Sequence, residues 1–79
     1  MSAADALDEM AARLDNEAAE RILFCHEQRA LGTWHSVRLA NHAGLYVVGL
    51  RHSARALRVR AEELRAKERA NALGAHRWS

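Results

Sequence analysis

The residues best suited to bind a metal or attack a carbonyl are five histidines (His26, His35, His42, His52 and His76) and a single cysteine, Cys25. Helical zinc sites bring their ligands together at a spacing of about four residues. His35 and His42 are seven apart, two turns along one helix face, and Cys25 and His26 adjoin rather than converge. A nucleophilic cysteine needs a base held beside it; a lone cysteine within an apolar helical stripe packs as a small hydrophobe. No glycine-rich phosphate loop is present. These residues predict a protein that is not an enzyme and takes no metal, cofactor or small-molecule substrate.

The remaining chemistry is charge. Arg51, Arg55, Arg58, Arg60, Arg65, Lys67 and Arg69 form a basic run. Residues 1–31 hold seven acids and three bases, a balance of −4, whereas residues 32–79 hold three acids and nine bases, a balance of +6, giving the net +2. Such a split suits two helices that attract one another, or a basic surface facing a polyanion. Arg58–Glu62 and Glu63–Lys67 have the i,i+4 spacing of ordinary solvated helix pairs. Aromatic residues that could stack bases are scarce, so a nucleic acid would be held by its backbone, with Arg51, Arg55, Arg58, Arg60 and Arg65 as the contacts.

The elements that position these groups are helices. The 79 residues contain no proline and are rich in Ala, Leu, Arg and Glu, a composition that favours helix over sheet. Ser2 caps a first helix of about residues 3–31, with Asp5 three residues on. Leu7, Ala11, Leu14, Ala18, Ile22 and Cys25 make one apolar stripe along it, widened by Met10 and Leu23. Leu31-Gly32 is its stop, with Gly32 free to turn left-handed. Thr33 or Ser36 caps a second helix of about residues 34–73, followed by a short tail at 74–79. Trp34 is expected to pack at the turn against Phe24 or Leu31.

Folded back on itself, this single domain is an all-α antiparallel hairpin in which residue i faces a residue near 64 − i. Ala18 and Ala19 then face Gly44 and Ala43, where small residues allow close approach and account for Gly44 and Gly49. Asp5, Asp8 and Glu9 come near Arg55, Arg58 and Arg60. The second helix outlasts the first beyond about residue 60, leaving Ala61, Leu64, Ala70 and Leu73 uncovered. Leu50, Leu57 and Leu64 repeat every seven residues, as in a coiled coil or four-helix bundle. The expectation is a dimeric four-helix-type assembly. The function expected is a protein-interaction module, an adaptor or inhibitor of a larger complex, with Leu57, Leu64, Leu73 and Trp78 as anchors among arginines. The single cysteine and the short apolar runs predict a cytoplasmic protein with no membrane partner.

One segment supports an alternative. Leu39-Ala40-Asn41-His42-Ala43-Gly44-Leu45, with Leu50 five residues on, resembles the core of bacterial helix-turn-helix DNA-binding regulators, over Leu39–Leu57. The resemblance implies a three-helix domain in which Gly44 makes the turn, Ala40 sits at the helix crossing and Leu45 and Leu50 pack beneath. It also implies that residues near Val47–Arg58 enter the major groove, with Arg51 and Arg55 reaching bases or phosphates.

Overall fold

The computed structural model describes the backbone of residues 1–78 and the side chains of residues 1–74. Two helices, α1 (Ala3–Leu31) and α2 (Trp34–Trp78), pack side by side. They form an antiparallel hairpin measuring 69 × 17 × 12 Å. α2 runs unbroken across Gly44 and Gly49, so the chain is a hairpin rather than the three-helix alternative. It also continues through the segment expected to be a tail, as far as Trp78.

Local chemistry fixes the ends. The Ser2 hydroxyl accepts from the Asp5 N–H at 3.1 Å, satisfying one of the free donors of the first turn. Gly32 adopts φ 69°, and its N–H donates to the Arg29 carbonyl at 3.1 Å. This left-handed residue closes α1 at little steric cost because it has no Cβ. Thr33 caps α2: its hydroxyl accepts from the Ser36 N–H at 3.0 Å and donates to the Ser36 hydroxyl at 2.6 Å. The second bond satisfies Ser36, the buried polar side chain of the seam.

The seam is made of alanine. Buried residues recur every seventh position in α1 as Ala4, Ala11, Ala18 and Cys25. In α2 they are Ser36, Ala40, Ala43, Val47, Leu50 and Ala54, alternately four and three apart, and then Ala61 seven further on. Cys25 packs beside Ala40, and Ala18 against Val47 and Leu50 with Leu14 and Ile22 alongside. Residue i therefore faces 65 − i, because the chain reverses between Gly32 and Thr33. The same register places Ala11 opposite Ala54 and Ala4 opposite Ala61, all four at most 1% exposed. Alternation of this kind over several heptads is coiled-coil geometry, and side chains this small let the two backbones come close.

Several expectations are corrected. Ala18 faces Val47 and Leu50 rather than Gly44 and Ala43, and Ala19 is exposed. Ala61 is buried and Leu64 half-buried by α1, so the unpartnered part of α2 begins beyond Arg65 rather than near residue 60. The one-residue change of register accounts for part of the shift, and the reach of Arg65 to Asp5 and Asp8 for the rest. Trp34 is 76% exposed, lying under the Arg38 guanidinium at 5.4 Å instead of packing into the turn.

Gly44 and Gly49 are not explained by close packing. A Cβ built at either would meet nothing within 4 Å. Both lie in the interior of α2 with ordinary helical backbone. Each Gly→Ala change should therefore raise stability by about 0.5–1 kcal/mol, as a higher urea midpoint with unchanged slope.

Candidate partner-binding surface

One edge of the hairpin carries a ladder of ion pairs. Arg65 reaches Asp8 at 2.6 Å and Asp5 at 3.0 Å, and Arg58 pairs with Asp15. The rungs are seven residues apart in both helices, since equivalent flanking positions meet once per heptad. The next rung would join Arg51 to position 22, which is isoleucine. The acids expected near Arg55, Arg58 and Arg60 are thus taken up differently: Asp5 and Asp8 by Arg65, and Glu9 by Arg13 within its own helix at 3.0 Å. Such exposed pairs contribute little individually, on the order of a few tenths of a kcal/mol. Their repetition at one interval is consistent with the register that the turn and the alanine seam set.

The hydrogen bond from Arg65, followed by those from Ser2, holds the Asp5 carboxyl below the usual carboxylate range. Asp8, then Asp5, push Arg65 upward from its ordinary value. A carboxyl lowered on folding contributes stability above its unfolded pKa and loses it as pH falls through the folded one. The raised Arg65 would lose its contribution only at strongly alkaline pH. Wild type should therefore be more stable than Arg65→Met at neutral pH. That gap should close as pH falls below about 4, read from urea midpoints at stepped pH.

Within the basic run of α2, Arg51 and Arg55 are the arginines without a carboxylate among the described residues. Neither makes an ion pair among the described residues. With Arg58, Asp15, Val59 and Glu62 they line an open groove of about 570 Å³. Arg60 is held by Glu63 at 3.2 Å. Of the five arginines expected to meet nucleic acid, two are therefore free and three are paired. On the other edge, the Tyr46 hydroxyl donates to Glu17 at 3.4 Å and Arg21 lies 4.3 Å over the Tyr46 ring.

The apolar anchors divide in the same way. Leu57 and Leu64 are half-buried in the hairpin seam, while Leu73, on the unpartnered stretch of α2, is 72% exposed. The side chain of Trp78 lies outside the described residues. Sequence reasoning missed Leu45, Val48 and Val59, which stand 74%, 67% and 53% exposed along the outer side of α2. A signal was available. Leu45, His52, Val59, Ala66 and Leu73 repeat every seven residues, interleaved with Gly49, Ala56, Glu63 and Ala70. All nine are exposed, so α2 bears a second stripe turned away from α1.

The Cys25 thiol is buried and donates to the Ala40 carbonyl at 3.4 Å. His26, His35, His42 and His52 are exposed, and no group of three or more potential metal ligands comes together among the described residues. No helix in the described residues is long and apolar enough to cross a membrane. No known protein family, no curated protein and no solved structure matches the chain.

Proposed function

We propose that this protein is a non-enzymatic interaction module that works in the cytoplasm as an adaptor or inhibitor, engaging another polypeptide through the apolar and arginine-rich face of α2. The observation that carries this reading is the projection of α2 beyond Arg65 with Leu73 exposed, continuous with the outer stripe of Leu45 and Val59. An isolated helix of about 13 residues is marginal in water. Contiguous exposed apolar surface at such a place marks an interaction site. Leu57 and Leu64 would support this face from the seam, and Leu73 and Trp78 would meet the partner directly.

A photo-crosslinking residue at Leu73 tests it, with Arg13 on the far helix as the control position. Protein adducts from Leu73 in excess of those from Arg13 support the reading. Equal yields, or none, would refute it.

A second reading, nucleic-acid binding, is favoured by the free guanidinium groups of Arg51 and Arg55 beside Arg58. Two phosphate contacts predict a slope of log affinity against log salt of about −2, whereas engagement of all five arginines predicts about −4.5. Absence of binding to random duplex at low salt ends this reading.

A further inference from the structure

The outer stripe of α2 is its own complement. Its larger members, Leu45, Val59 and Leu73, are centred on Val59, with equal intervals on either side. Turn a second α2 antiparallel, so that residue j meets 118 − j, and Leu45 of one copy meets Leu73 of the other. His52 then meets Ala66, and Val59 meets itself on a two-fold axis. Between these layers the small residues Gly49 and Ala70 face one another within one residue. We infer that the partner of this face is a second copy of the same chain, packed antiparallel through α2 about Val59. This rests on the interaction-module reading and names its occupant.

Three observations carry it. The first is area. The chain exposes 6136 Å², against roughly 4,800 Å² for a compact monomer of this mass. The excess, on the order of 1,300 Å², exceeds the roughly 800 Å² each partner contributes to a standard interface. The second is length. In this arrangement the stretch of α2 beyond Arg65, which lacks a neighbour in its own chain, lies along the outer side of residues 40–52 of the other copy. That region carries the exposed Leu45 and Val48. One pairing covers both surfaces, and the two-fold axis covers them twice, closing the assembly at two copies.

The third is charge. Arg55, which makes no ion pair among the described residues, falls within one residue of level with Glu62 of the second copy, on the same flank of the stripe. On the opposite flank Arg60 comes within two residues of level with Arg60 of the second copy. The resulting repulsion is offset by Glu63, which already holds Arg60 at 3.2 Å. Gly49 and Ala70 let the helices approach closely at the layers flanking the centre.

Single cysteines on the exposed stripe test the geometry without disturbing the hairpin core. Cys25 remains in place, buried, and the unmodified chain serves as the control. Wild type should sediment at twice the 8.8 kDa chain mass. Val59→Cys should form a covalent dimer on mild oxidation. Leu73→Cys alone should not, because its two copies lie about 42 Å apart along the axis at 1.5 Å per residue. A mixture of Leu45→Cys and Leu73→Cys should cross-link the two variants to each other.

A wild-type monomer at its highest soluble concentration would overturn the inference. So would Leu73→Cys cross-linking to itself as readily as Val59→Cys. Photo-adducts from Leu73 to a different polypeptide alone would also overturn the second copy while leaving the interaction module standing. The two claims therefore fail separately.

Discussion

Leu50→Ala should cost about 2–5 kcal/mol, the range for truncating a buried leucine. A domain of 79 residues has roughly 4–12 kcal/mol in total. Leu50 is 92% buried and, with Val47, is one of two bulky buried side chains among the described residues; it packs with Ala18, Val47, Leu14 and Ile22. Residues buried to 1% or less are all alanines, so few other side chains share the load. The expected result is a urea midpoint lowered by a large fraction of its wild-type value, followed by helical ellipticity. A loss below about 1 kcal/mol would mean that the seam does not hold the hairpin as described.

The converse change tests the closeness of the helices. Ala11 is fully buried and, in the 65 − i register, faces Ala54, itself 1% exposed. Ala11→Leu adds three carbons where neither backbone can retreat without breaking the seam on both sides. It should destabilise by about 1–3 kcal/mol through overpacking, despite leucine's good helix propensity. Ala12→Leu, one residue on and exposed, should change stability by no more than about 0.5 kcal/mol. The contrast between adjacent alanines separates packing from propensity. Equal effects at both positions would remove close approach as the reason for the alanine heptads.

What could be read from the chain was local. Ser2, Gly32 and Thr33 are capping residues whose hydrogen bonds reach only three or four positions along the chain, so both helix starts and the turn were visible in advance. The stripe from Leu7 to Cys25 marks the buried face of α1 for the same reason. What escaped depends on three dimensions. The register differs by one residue because its origin is the midpoint of the turn, between Gly32 and Thr33, and the choice of Arg65 over Arg60 as partner of Asp5 and Asp8 depends on which flank of α2 faces them. Leu64 was expected to be bare, yet α1 half-covers it. The outer stripe went unread because Leu45, Val59 and Leu73 are separated by alanine, glycine and histidine. Spacing alone does not tell an unpartnered seam from a solvated face.

The single reversal of the chain at Gly32 also orders its assembly. Cys25 and Ala40 are 15 residues apart, Asp15 and Arg58 are 43 apart, and Asp5 and Arg65 are 60 apart. Closing the shortest loop first costs least entropy, and each layer formed shortens the effective loop for the next. The molecule thus zips from the turn outward and frays from the end where Asp5 holds Arg65, with amide exchange protection grading between the two.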